Sequence, residues 1–283
     1  MEDSDLDVRL RGKTFICGVG VQKAGTTWLY DYLNGLPEIY MAPRKELHFF
    51  DKGNIAKISK IENATVRQVK RLLETIDENA PVSYPDKLIE AMDILRMHYD
   101  PQGYTQYFAS RAGTHKFFGE ITPAYCTIGR DGFASIKSRF PRVKIIYLLR
   151  DPIDRHYSLM RMAEEDRKEP GFARRSFVPS LDRPFPRHMA DYRSHIEALR
   201  AVFSPEELFV GFYETLFTES EIRRLCNFIG VDFQPASYNT RVNTSNTETG
   251  LTPEMIASAR RKLDGTYAFC RQAFPDLPAG WRA

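Results

Sequence analysis

The run Gly20-Val21-Gln22-Lys23-Ala24-Gly25-Thr26-Thr27-Trp28 brings an ammonium, a glycine and two hydroxyls into one short segment. Ahead of it, Thr14 to Val21 is apolar, β-branched and broken by glycine, which predicts a buried strand. Behind it, Trp28, Leu29, Tyr32 and Leu33 recur at helical spacing and stop at Asn34-Gly35. A strand–turn–helix of this kind aims backbone N–H groups and the positive end of a helix at one point, where an anion binds. Gly25 lets that anion approach the backbone, Thr26 and Thr27 add O–H donors, and Lys23 adds a mobile charge. A second concentration runs from Leu149-Arg150-Asp151-Pro152 to Ser158. Val143 to Leu149 is the clearest buried-strand pattern in the chain, and Arg150 stands at its carboxyl end, where open α/β sheets bind ligands. An arginine there either forks onto a phosphate or pairs with Asp154 at the start of the next helix. Ser158 falls about two helical turns further on, in reach of the same group.

The first segment invites comparison with the nucleoside-triphosphatase pattern GxxxxGK[ST]. The Gly20-to-Gly25 spacing fits, but Thr26 occupies the lysine position and the lysine comes earlier, at 23. No strand ending in Asp offers a magnesium partner. The segment reads as a phosphate cradle for a different anion, and no metal is expected.

The elements that must position these groups alternate. Strand patterns at 14–21, 117–120, 143–149 and 208–212 are separated by helical patterns at 62–77, 86–97, 102–110, 188–203 and 218–229, with a last helix at 252–270. Such alternation predicts an α/β protein: a three-layer, P-loop-like fold with a central parallel sheet flanked by helices. Residues 36–52 read as loop, and the charged, aperiodic 164–187 stretch reads as a long surface loop able to act as a lid, with Phe172, Arg174, Arg175 and Phe177. Without a repeat or linker, the simplest division is a frayed N-terminus at 1–12 and one domain over 13–283. A net charge of +3 gives no reason to expect nucleic acid as a partner. Cys17, Cys126, Cys226 and Cys270 form no CxxC pair, so neither a zinc site nor a disulfide framework is expected. With an acidic, non-apolar start and no run long enough to span a membrane, the chain reads as cytoplasmic. The oligomeric state is not legible.

Together, and in this order, the two anion segments resemble the 3′-phosphoadenosine 5′-phosphosulfate (PAPS)-dependent sulfotransferase family. Gln22 to Leu29 resembles its 5′-phosphosulfate loop, often written PKSGTTW, with Gln for Pro and Ala24 for Ser. Ile146 to Ser158 resembles its 3′-phosphate segment, a strand followed by R-[DN]-P and then Ser. The resemblance implies that Lys23, Ala24, Gly25, Thr26 and Thr27 hold the 5′-phosphosulfate, with Lys23 on the leaving oxygen. It implies Arg150 and Ser158 on the 3′-phosphate, and Trp28 and Tyr213 against adenine. Trp28 also reads as plain core. No RKG tripeptide closes the 3′-phosphate site; Arg241-Val242-Asn243-Thr244-Ser245 stands in its place and resembles a VNxS element, which offers Asn243 and Ser245.

Transfer to an acceptor hydroxyl also needs a base. Lys45-Glu46-Leu47-His48-Phe49-Phe50-Asp51 resembles the KE-x-HFFD element of the heparan-sulfate branch, which implies Glu46 as base, with His48 as the alternative used by small-molecule members. Lys45 would polarise the sulfuryl group or guide the acceptor. Gly119-Glu120-Ile121-Thr122-Pro123-Ala124-Tyr125 resembles the GEKSPAY element along that branch's acceptor cleft. Glu120 would pair with Lys23 or Lys45, touch the acceptor or serve as a second base, and Tyr125 and Phe49 would border the acceptor. The resemblance thus implies sulfuryl transfer from PAPS to a saccharide, lipid or small metabolite. A P-loop kinase or NTPase, and a non-catalytic nucleotide-binding scaffold, are the competing classes.

Overall fold

A computed structural model describes residues 7–51, 55–74, 84–100, 102–236 and 250–281. Its centre is a five-stranded sheet of β1 (Thr14–Gly20), β2 (Ile39–Met41), β3 (Phe117–Ile121), β4 (Val143–Leu149) and β5 (Leu208–Phe212). The strand order is β2-β3-β1-β4-β5, and every pairing is parallel. β1, β3 and β4 are buried almost residue for residue, which is why they read as continuous apolar runs. Helices flank the sheet: α1 (Thr26–Asn34), α2 (Ile55–Glu74), α3 (Tyr84–Tyr99), α4 (Gly103–Ala109), α5 (Gly129–Arg139), α6 (Pro152–Arg167), α7 (Phe172–Ser180), α8 (Pro184–Met189), α9 (Tyr192–Arg200), α10 (Tyr213–Leu216), α11 (Glu219–Ile229) and α12 (Pro253–Ala273). No helix among the described residues is long and apolar enough to cross a membrane.

The topology decides where a ligand can sit. From β1 the chain leaves toward β2 and β3 on one side; from β4 it leaves toward β5 on the other. The carboxyl ends of β1 and β4 are therefore a switch point, where diverging loops leave a crevice. The two ends are tied together: Gly20 pairs with Tyr147, and Val21 N–H donates to the Leu148 carbonyl at 2.7 Å. The anion segments that follow β1 and β4 thus start as neighbours.

An aromatic cluster fills one side of the sheet. Phe15 of β1 packs on Phe140, Phe118 and Phe108 with ring centroids 4.2, 5.4 and 5.8 Å away. Tyr104 of α4 extends the cluster toward the loop after β2, where Phe49 stacks on it at 4.3 Å.

The structure corrects three readings of the sequence. The 36–52 stretch contains β2, an edge strand too short for its alternation to stand out. The 164–187 stretch is mostly helical: α6 continues to Arg167, and α7 and α8 follow. Ala173, Phe177 and Ser180 supply a buried face for α7, while Pro184 starts α8, where its missing N–H costs nothing. Residues 7–12 are anchored rather than frayed, since Leu10 is fully buried and Asp7 caps the short 3₁₀ turn Val8–Leu10.

The β1–β3 contact sets a steric limit. A Cβ on Gly119 would stand 2.0 Å from the Ile16 carbonyl oxygen. Gly119→Ala should therefore lower stability by at least about 2 kcal/mol, read as a drop in urea midpoint, whereas an unchanged midpoint would mean that the strands can separate freely here.

Candidate active site

The loop after β1 turns back through two left-handed residues, Lys23 (φ 73°) and Gly25 (φ 84°). A Cβ at Gly25 would meet Leu216 Cδ2 at 2.8 Å and Tyr213 Cδ2 at 3.2 Å, so α1 can start against α10 only from glycine. Ala24, expected at the ligand, is fully buried beneath the loop. Lys23, Gly25, Thr26, Thr27, Arg150 and Ser158 all border one pocket. Trp28, Tyr213 and Phe217 form its aromatic side. Trp28 is only 6% exposed and stacks in parallel on Tyr32 at 5.6 Å, so one of its faces is already covered.

Arg150 does not cap α6 by pairing with Asp154. Asp151 does that, accepting the Ile153 and Asp154 N–H groups at 2.9 and 3.1 Å. Arg150 instead donates from Nη1 to the Lys23 carbonyl at 3.1 Å and lies over the Tyr213 ring at 4.3 Å. Its own carbonyl accepts from Tyr192 Oη at 2.8 Å. The Asp151 N–H donates to Glu214 at 2.9 Å, and Tyr267 Oη lies 3.0 Å from each Asp151 oxygen. Groups from α9, α10 and α12 therefore fix one turn.

The pocket is a concentration of cations. Burial, and then repulsion from Arg150, pull the Lys23 ammonium below its usual pKa. Burial does the same to Lys45, whose Nζ donates to Thr27 Oγ1. Among the described residues, Lys23 Nζ meets only the weak acceptor Met162 Sδ, at 3.8 Å. Among the described residues, no ion pair neutralises Lys23, Lys45 or Arg150.

The loop after β2 brings the candidate base to the same pocket, which Lys45 and Glu46 also border. Glu46 (φ 63°) and His48 (φ 54°) are left-handed, at a cost of about 1–2 kcal/mol each. Hydrogen bonds from beneath hold them. Glu46 N–H donates to the Ile121 carbonyl at 3.2 Å, Leu47 N–H to Glu120 Oε2 at 3.2 Å, and Phe49 N–H to Tyr125 Oη at 2.7 Å. His48 stands between two acids, with Nδ1 2.8 Å from Asp51 and Nε2 3.5 Å from Glu46. Burial works against its charge, but the two carboxylates outweigh it and raise its pKa to about 9.

Glu120, Tyr125 and Phe49, expected at the acceptor, lie under this loop instead. Glu120 is fully buried and accepts from Tyr104, from Thr122 Oγ1 at 2.6 Å and from Tyr125 Oη at 3.0 Å. Burial raises its pKa, while these bonds pull the other way. It reaches neither Lys23 nor Lys45. The hydrophobic cluster explains Phe49 and Tyr125 as anchors of the loop. Asn243 and Ser245 lie outside the described residues. Sequence reasoning assigned no role to Asp51, although its three-residue spacing from His48 was visible, nor to Gln22, Met162 and Phe217, which line the pocket.

Tyr125→Phe removes the acceptor of the Phe49 N–H and one donor to Glu120. It should cost about 1–3 kcal/mol of stability and lower turnover with it; a urea midpoint and turnover equal to wild type would show that the loop does not depend on this anchor.

The Sulfotransferase family model matches residues 15–235. No curated protein matches the chain. Among solved structures, a sulfotransferase from Alicyclobacillus acidocaldarius superposes with a TM-score of 0.65 at 22% identity, covering 96% of this chain and 99% of that one. The sulfotransferase domain of the Synechococcus PCC 7002 olefin synthase superposes with a TM-score of 0.53 at 18% identity, covering 94% and 95%. These likenesses share the fold, and the extent of the family match carries the conclusion that the chain belongs to the Sulfotransferase family.

Proposed function

We propose that the chain transfers a sulfuryl group from PAPS to an acceptor hydroxyl, with Glu46 as the general base. The observation that carries this reading is the convergence of Lys23 and Arg150, two unneutralised cations from different strand ends, on one pocket with an aromatic side. A nucleotide carrying anionic groups on both its 3′ and 5′ carbons complements that arrangement. Backbone N–H groups at Gly25–Thr27 and the Lys23 ammonium hold the 5′ end, where Lys23 neutralises charge growing on the leaving phosphate oxygen. Arg150 and Ser158 hold the 3′-phosphate, and Tyr213 and Trp28 present ring surface to the base.

Glu46 removes the acceptor proton. With a pKa of about 9, His48 carries its proton near neutrality and has no lone pair to offer, which supports Glu46 over His48 as base. His48, oriented by Asp51, instead holds the Glu46 carboxylate in place. Lys45, held by Thr27, stands beside Glu46 to stabilise transferred charge.

Glu46→Gln should reduce PAP formation from PAPS, across a panel of hydroxyl compounds, by about two to four orders of magnitude while leaving PAP affinity intact. Full turnover by this variant would remove Glu46 as base. The charged His48 gives a pH test. Its folded pKa, about 9, lies above the ordinary 6.5, so the stability it adds is complete below pH 6.5 and is lost as pH rises through 9. The gap in urea midpoint between wild type and His48→Gln should close across that window; a gap constant with pH would mean that His48 is neutral in the fold.

A further inference from the structure

We propose that the acceptor is a small alcohol or phenol with an apolar body rather than a saccharide. This rests on the reading of Glu46 as the base and deepens it. Gln22, Lys45, Glu46 and Pro123 border the nucleotide pocket and also a second hollow of about 380 Å³. Its size suits one small molecule rather than a polymer held along its length.

The two sides of the hollow differ in chemistry. The edge shared with the nucleotide pocket is polar, and the reacting hydroxyl belongs there. Arg44 and His48 line the hollow outside that edge too; the apolar part of the wall, among the described residues, is Ala64 of α2, Ala124 after β3, and Phe185 and Met189 of α8. None of these apolar side chains has an N–H or O–H to offer. Met189 is buried and fixed against Cys126, with Sδ 3.8 Å from Sγ. Phe185, by contrast, is 49% exposed, a large ring left half bare at the mouth of the hollow. Arg44 borders the wall but is turned to Thr65 Oγ1 at 2.7 Å, linking the loop to α2.

A saccharide placed here would press several hydroxyls against the wall and strip them of water without returning hydrogen bonds. An alkyl or aryl body loses nothing there and gains by covering Phe185 and Met189. Its one hydroxyl then reaches Glu46 at the polar edge.

The test begins with PAP titration by calorimetry, then measures kcat/KM for PAP release from PAPS with straight-chain primary alcohols, substituted phenols and monosaccharides. Absence of PAP binding would overturn the sulfotransferase reading and this inference with it. With PAP bound, kcat/KM should rise about fourfold per added methylene over the first several carbons, and saccharides of equal size should be at least tenfold poorer. Phe185→Ala should lower kcat/KM for the larger alcohols about tenfold with PAP affinity unchanged, and Phe185→Leu should recover part of the loss. Saccharides matching or exceeding the alcohols, no alcohol turned over, or an equal effect of Phe185→Ala on large and small alcohols would each overturn the apolar assignment while leaving the nucleotide site standing.

Discussion

Positive charge with no ion-pair partner among the described residues is the constraint on which this site depends. Lys23, Lys45 and Arg150 converge where β1 and β4 end, and burial and mutual repulsion already weaken the hold of Lys23 on its proton. Such an arrangement is unfavourable until an anion arrives. The chain's overall charge of +3 conceals it, because net charge carries no information about clustering.

Among the described residues, the fold keeps these cations out of ion pairs by committing nearby buried acids elsewhere. Glu120 is engaged by Tyr104, Thr122, Tyr125 and the Leu47 N–H; Asp151 caps α6 and meets Tyr267; Glu214 accepts the Asp151 N–H. Each carboxylate is consumed by uncharged donors in the scaffold. The same bonds fix the two segments that matter: Glu120 lies under the left-handed Glu46 and His48, and Asp151 sits directly after Arg150. None of these three acids borders the pocket; among the described residues the carboxylate that does is Glu46, which also attracts the Lys45 charge.

The central strands and the turn from β1 into α1 were legible in the sequence because burial on both faces leaves unbroken apolar runs, and because a helical pattern opens directly after Gly25. Arg150 was legible as a strand-end residue, but its bond to the Lys23 carbonyl was not, since 127 residues separate the two. β2 was too short to show a pattern, and α7 and α8 were hidden by charge and proline on their exposed faces. Glu120 was misplaced at the acceptor because a carboxylate next to the site motifs suggests chemistry. Only the three-dimensional packing of Tyr104 and Tyr125 around it, brought together from separate elements, reveals an anchor.

Calorimetric titration of PAP into wild type, Lys23→Ala, Arg150→Ala and the double variant, in buffer with EDTA, addresses the shared charge directly. Tight binding without magnesium, a loss of at least tenfold in each single variant, and losses in the double variant that do not simply add are the expected results for two cations gripping one molecule. Magnesium-dependent binding, or a PAP affinity indifferent to both substitutions, would contradict it.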